Sequence, residues 1–471
     1  MPETLSRTLS GFAAATRTGG LDGALTQDAK ERVLDTLGNA LAAVNEEPGV
    51  IARSVVEEMG GVAQSSIIGT DRSAPAANAA LVNGTLAHAL DFDDTHLPSV
   101  LHPSSSVIPA ALAVAQAVGA TGREALTAIA VGDEVTVRLG MASYDPEIRN
   151  SIFFENGLHA TSIVGTLGSA VAAAMLYGLD EDQIQDAIGI AASMGAGLLE
   201  ANRTGGSVKR VHCGWAAHSG VTAALFARNG LTGPPSVLEG RFGFFRAYSE
   251  GRFDESAIVD GLGDEWELPK IFYKPYPTNH FTHAGIDAAL AMREMGIEST
   301  DIVAIELGVP EPVLRTIAEP ADQKARPLTP YHAKFSGPFT VAAALVGGGG
   351  LGVYSNDFTE QTLSDPERLR LSALVRCVAD AESTELFPHQ FPAVLTVRLD
   401  DGSELVERVM TNRGGPDRPL SRDELALKFR LNANQALRPE RVDRLETAIL
   451  TLDSSESVDE VMELAGGSQV R

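Results

Sequence analysis

Long stretches of this chain are apolar on nearly every side. From about residue 25 to about residue 260 the segments "AANAALVNGTLAHAL", "VIPAALAVAQAVGA", "REALTAIAVGDEVTVRLG", "TSIVGTLGSAVAAAMLYGL", "EDQIQDAIGIAASMGAGLL" and "WAAHSGVTAALFARNGL" are Ala-rich and helical in pattern. Helices of this kind belong inside a helical body and pack through their small residues. The stop signals agree: "YGLDEDQ" and "RNGLTGP" place Gly at or just past a helix end, followed by a turn and a new start.

The pattern changes near "ELPKIFYKPYP". "DIVAIELGVP" reads as a strand, and "FPAVLTVRLDDGSELVERVM" alternates on both sides of Asp-Gly as a β-hairpin does. A helical run, "KFSGPFTVAAALVGGGG", lies between them, and its glycines end a helix because no strand leads into them. After about residue 414 helices return in "SRDELALKFRLN" and "RPERVDRLETAILTL". The expected fold is mainly α. A large all-helical domain spans 1–267 and is completed by 415–471, with a smaller α/β domain inserted at 268–414.

Composition narrows the chemistry. Two cysteines, Cys213 and Cys377, supply neither a disulfide framework nor the ligands of a four-cysteine zinc site or an iron-sulfur cluster, so any dehydration would proceed without aconitase-type iron. A formal net charge of -25 argues against nucleic acid or an anionic membrane surface as partner. No window is apolar enough to span a membrane, and "MPETLSRTLSGFAAATRTGG" lacks the pattern of a signal peptide, so a cytoplasmic location is expected.

Against that acidic background, "HALDFDDTHLPSVLHPSSS", His88 to Ser106, concentrates aspartates, histidines and hydroxyls just before a helix. His102 precedes Pro103 and a helix start. His159 precedes "ATSIVGTLGSAVAAAM", Lys209 and Arg210 precede "HCGWAAHSG", and Lys274 and His280 precede "FTHAGIDAAL". Each position couples a basic side chain to the partial positive charge and unpaired N–H groups of a helix start, which suggests one pocket for a polycarboxylate. Taken singly, each element has a plainer reading: a cap, a glycine loop with a solvated basic pair, a proline-rich connector. An acidic cluster at a helix C-terminus, however, is unfavourable by roughly a few tenths of a kcal/mol, and so asks for a reason.

"GTLAHALDFDDTH", "HPSSSVIPA", "GLHATSIVGTLGSAVAAA", "GGSVKRVHCGWAAHSG" and "KPYPTNHFTHAGIDAA", in this order, resemble the MmgE/PrpD family. It includes 2-methylcitrate dehydratases, cis-aconitate decarboxylases and iminodisuccinate epimerases. The resemblance implies a helical domain with an inserted α/β lid, a cleft between them, a homodimer, and neither metal nor organic cofactor. It places catalytic positions at His102, His159, Asp91 and Lys209, and substrate-binding positions at Thr95, Lys274 and His280. Compared with the decarboxylase pattern, the gaps from Thr95 to His102 and from Lys274 to His280 are longer by a residue. The lid tyrosine of the decarboxylases has only Tyr331 as a weak counterpart, and Thr278 and Asn279 stand where many members have cysteines.

Such chemistry explains the residue types. Removing a proton beside a carboxylate needs a close base and cations for the developing charge. Histidine suits the first task and lysine the second. The expected activity is dehydration or hydration of a hydroxylated di- or tricarboxylate, with 2-methylcitrate leading. The alternatives are decarboxylation of cis-aconitate, epimerisation, or carboxylate binding without catalysis. "DFDD" has two other readings. Protonation of an alkene in a terpene cyclase needs an aromatic-lined pocket, and aromatics are only 6% here. A divalent cation on Asp91, Asp93 and Asp94 would be opposed by nearby basic residues.

Overall fold

A computed structural model describes residues 3–201 and 206–467. Gly205, the first glycine of the "GGSVKR" loop, lies outside the described residues. The chain divides into two compact units, Met1–Ile271 with Leu425–Arg471, and Phe272–Glu424. It is mainly α. Among the described residues, no helix is long and apolar enough to cross a membrane.

The first unit is built on helices whose sequences leave little side-chain bulk between backbones. The principal ones are Gly23–Ala42, Ala76–His88, Ser104–Val118, Gly122–Ala142, Ala160–Leu176 and His212–Arg228. Of the Ala160–Leu176 helix, every residue but the last is buried. Its neighbours approach closely because glycine faces them: a Cβ at Gly168 would lie 2.5 Å from the Gly132 carbonyl oxygen. The Ala76–His88 and His212–Arg228 helices touch backbone to backbone. A Cβ at Gly84 would lie 2.9 Å from the Gly214 Cα, and one at Gly214 only 2.2 Å from the Leu81 carbonyl oxygen.

Helix starts follow local chemistry. Thr121 with Glu124, and Asp180 with Gln183, form reciprocal capping boxes, and Asp22 accepts the Leu25 N–H. The stop signals fall where the pattern placed them, with Gly178 at φ 72° and Gly230 at φ 90°. Pro103 precedes the first turn of its helix, which begins at Ser104.

The second unit carries a four-stranded sheet in the order Val375–Ala379, Ile302–Val309, Ala393–Leu399, Glu404–Val409. The first pair is parallel and the others antiparallel. The hairpin turns through Gly402 at φ 84°, as its Asp-Gly pair demands. The strand Val375–Ala379 escaped the sequence reading because its residues are half-buried or exposed and carry no clean alternation. Helices His283–Glu294 and Gly337–Val346 pack on one another, and the first also lies against the hairpin strands.

The close crossing makes a direct prediction. Gly214→Ala puts a methyl group 2.2 Å from the Leu81 carbonyl and 2.3 Å from the Thr85 hydroxyl. Overpacking of this kind costs roughly 1–3 kcal/mol. Calorimetry should show a lowered Tm; an unchanged Tm would mean the two helices do not meet there.

Candidate active site

The acidic segment is no solvated loop. Asp91, Asp93, Asp94, Thr95 and His96 are all buried. The Ala76–His88 helix stops at His88, and the chain then turns through Asp91 at φ 58° and later Val100 at φ 53°. A positive φ at a β-branched residue is costly, and here it lies two residues before His102.

Charged groups from distant parts of the unit hold this loop by its backbone. Lys428 Nζ donates to the Phe92 carbonyl at 3.0 Å, pairs with Asp35 at 2.6 Å, and sits 3.9 Å from the centre of the Phe92 ring. Asn39 donates to the same carbonyl at 3.0 Å. Asp94 is equally committed: it pairs with Arg32 at 3.3 Å and accepts the Ser104 hydroxyl at 2.5 Å. Burial raises the Asp94 carboxyl to about 6 against the opposing pull of Arg32 and Ser104. Asp133 lies 3.0 Å from the same hydroxyl, and burial, reinforced by Asp94, pushes it well above the usual carboxylate range. The Ser104 hydroxyl is thus within donating distance of both carboxyls, and burial raises both.

Four histidines gather at this point. His102 Nδ1 lies 2.5 Å from the Asp94 carbonyl and 3.2 Å from the Thr95 hydroxyl. A carbonyl only accepts, so Nδ1 carries the hydrogen, and in the neutral ring the lone pair is on Nε2. The His88 ring lies 5.7 Å from those of both His102 and His159. Its Nδ1 is bonded to Asp93 Oδ2 at 2.7 Å. Burial alone would lower its pKa, but Asp93 and Cys213 outweigh that and carry it to about 10, so His88 is an imidazolium. His159, the residue capping the Ala160 helix, has its Nδ1 3.0 Å from the Nδ1 of His212, the first residue of the His212–Arg228 helix. Burial, then the charge of Lys209, drives the His159 pKa well below its ordinary value, and burial together with His88 and Lys209 takes His212 to about 4. Both rings are neutral.

Lys209 is buried and lies 3.4 Å from Asp91. The starts of three helices, at Ser104, Ala160 and His212, thus meet around one imidazolium, one lysine and three neutral or weakly basic rings, an arrangement suited to an anion. Of the positions expected from sequence, Asp91, Thr95, His102, His159 and Lys209 come together here. Lys274, His280 and Tyr331 belong to the second unit. There Lys274 and His280 are buried, with the His280 ring 4.7 Å from His283. The preceding loop is pinned through Tyr276, whose hydroxyl donates to Asp287 at 2.5 Å while Arg413 donates to it at 3.2 Å. Tyr331 stands on the short helix Pro330–Ala333, its ring 5.2 Å from Phe335.

Sequence reasoning missed His88 and His212. Both lay in the quoted motifs. The available signal was helical: His88 closes a turn five residues before Asp93, and His212 follows Lys209 by three. The three aspartates of the suggested cation site each bond to a basic group, Asp91 to Lys209, Asp93 to His88 and Asp94 to Arg32. His88, Asp93 and Cys213 do bring donor atoms within 4.8 Å of one another. Two of these donors are already joined by the 2.7 Å bond, which any cation bound there would have to displace.

A helical unit with a buried histidine cluster at converging helix starts, joined in one chain to a small α/β unit, defines the class. The chain belongs to the MmgE/PrpD family: residues 7–256 match its N-terminal domain and residues 276–454 its C-terminal domain. It is 30% identical over 459 residues to the cis-aconitate decarboxylase of Homo sapiens, covering 96% of this chain and 92% of that one. A cis-aconitate decarboxylase-like protein, oryM, of Aspergillus oryzae is 28% identical, with 94% and 93% covered. The cis-aconitate decarboxylase of Aspergillus terreus is 27% identical, with 84% and 83% covered.

The opposed histidine environments predict a stability maximum near neutrality. His212 folds with its pKa depressed from 6.5 to about 4, so its contribution is full above pH 6.5 and is lost as pH falls toward 4. His88 folds with its pKa raised to about 10, so its contribution is full below pH 6.5 and is lost as pH rises toward 10. Tm measured across this range should fall on both sides. His212→Gln should flatten the acid limb and His88→Gln the alkaline one; a wild-type Tm that stays level from pH 6.5 to 4 contradicts the assignment.

Proposed function

We propose that this chain is a lyase that moves a proton at the carbon beside a carboxylate of a di- or tricarboxylate, using its own histidines and no added factor. The reaction proposed is reversible dehydration of a hydroxylated acid, with 2-methylcitrate the leading substrate. One observation carries it. The histidine cluster holds His102, whose Nδ1–H is committed to the Asp94 carbonyl and whose neutral form has its lone pair on Nε2, beside a second pair of rings, His159 and His212, that share a hydrogen bond. Expelling a β-hydroxyl needs a base at carbon and an acid at oxygen together, and this cluster offers both. Lys209, the His88 imidazolium and the helix starts would meet the charge that develops on the carboxylate. Asp91 would orient Lys209, and Thr95 would steady His102. Substrate-binding roles for Lys274 and His280 rest on the family's motif alone.

A second reading is decarboxylation of cis-aconitate, which the names of the relatives favour. It needs a cation for the enediolate and a donor for the new C–H bond, and the same residues would serve. Epimerisation requires only return of the proton to the other face.

Proton NMR in deuterated water separates these outcomes, with 2-methylcitrate, citrate, cis-aconitate and iminodisuccinate tried one at a time. An alkene formed from a hydroxy acid is the expected result. Itaconate from cis-aconitate would replace dehydration with decarboxylation, and deuterium at the α-carbon without net conversion would replace it with epimerisation. No change in any of the four would sink catalysis on these acids.

Binding is tested separately. Lys209→Ala should weaken citrate by roughly 1.5–3 kcal/mol, the range for charge-assisted hydrogen bonds, in calorimetric titration. Unchanged affinity would place the carboxylate site elsewhere.

A further inference from the structure

We infer that His159 and His212 form a two-ring proton relay, joined Nδ1 to Nδ1, in which His212 is the partner that takes up or supplies the proton His159 exchanges with substrate. The inference deepens the proposed function and rests on it for the identity of the reacting acid. The geometry stands without it.

The two Nδ1 atoms are 3.0 Å apart, a hydrogen-bond distance between groups of the same kind. A neutral imidazole has one N–H and one lone pair, so a bond between two Nδ1 atoms requires opposite tautomers. One ring holds Nδ1–H and has its lone pair on Nε2. The other accepts at Nδ1 and holds Nε2–H. One ring of the pair is therefore a base at Nε2 and the other an acid at Nε2, and the roles exchange when a proton enters at the first Nε2, the shared proton crosses between the Nδ1 atoms and a proton leaves the second Nε2.

The balance closes. A proton taken from substrate carbon arrives at Nε2 of His159, the shared proton crosses to His212, and the Nε2 proton of His212 passes to water at that more open end. One proton enters and one departs, and neither ring keeps a charge. The exchanged pair is then set for the reverse direction, as a reversible addition and loss of water requires.

The surroundings keep the pair neutral and close. His159 and His212 face Lys209 and His88, and His159 also faces His102. Lys209 is paired with Asp91, and His88 with Asp93 beside Cys213. Two fixed positive charges thus oppose a net proton on either ring while leaving transfer between the rings unopposed. Gly197 leaves the room for the contact: its carbonyl accepts the His159 N–H at 3.0 Å, and a Cβ there would lie 3.1 Å from the His159 Cβ and 3.3 Å from the His212 Nδ1. His212 is the more open end, at 8% exposure against 2% for His159.

The first test needs no substrate. In unliganded protein labelled with ¹⁵N-histidine, the two rings, assigned with His159→Gln and His212→Gln, should show opposite tautomers at pH 7. The same tautomer in both, or a charged ring, overturns the relay whatever reaction the enzyme performs. The second test uses the substrate that reacts. Glutamine at 212 keeps a hydrogen bond to His159 Nδ1 but cannot pass a proton on, whereas His212→Phe removes both. Both variants should lose at least tenfold in kcat with KM changed less than about threefold, and both should alter the pH profile of kcat. If His212→Gln restores kcat to within twofold of wild type, His212 only orients its neighbour and the relay is wrong.

Discussion

The contact of two helix backbones at Gly84 and Gly214 sets the scale of the whole site. Where helices carry ordinary side chains at a crossing their axes stay about 8–10 Å apart. Here the Gly84 Cβ position falls 2.9 Å from Gly214 Cα. His88 lies one turn beyond Gly84, and His212 and Cys213 immediately precede Gly214. With the two backbones this close, the His88 ring comes within 5.7 Å of those of both His102 and His159.

Burial then does the electrostatic work. In a chain of net charge -25 the local field would repel a carboxylate. The site escapes this by pairing its own acids inside the protein: Asp91 with Lys209, Asp93 with His88, Asp94 with Arg32 and Ser104. Each pair removes a negative charge from the anion's view. The helix starts at Ser104, Ala160 and His212 add partial positive charge that costs no proton and does not titrate.

Much of this was legible in the sequence, because the features that matter are local. Helix starts after His102 and His159, the glycine stops and the hairpin around Asp-Gly all follow from nearest-neighbour chemistry, and the structure has them. Ordered motifs identified the family. What could not be read were the long-range partners. Nothing near "DFDD" indicates that Lys428 and Asn39 grip the Phe92 carbonyl, or that Arg32 neutralises Asp94. His88 and His212 were passed over because their importance lies in which ring nitrogen faces which neighbour, a property of helix crossing and not of spacing. The strand Val375–Ala379 was missed because an edge strand with both faces partly open has no alternating pattern to detect.

The grip of Lys428 on the Phe92 loop has a consequence for how the protein is made. Asp35 and Phe92 leave the ribosome early, while Lys428 is synthesised more than three hundred residues after Phe92, and the intervening unit Phe272–Glu424 comes between. Until Lys428 arrives, burying Asp35 would leave a carboxylate without its cation, a cost of several kcal/mol. The nascent helical body therefore buries this loop at a cost until residue 428 is made. A truncated product ending before residue 428 keeps the Asn39 bond to the Phe92 carbonyl and the Arg32 and Ser104 bonds to Asp94 but lacks the lysine cation that joins Asp35 to this loop.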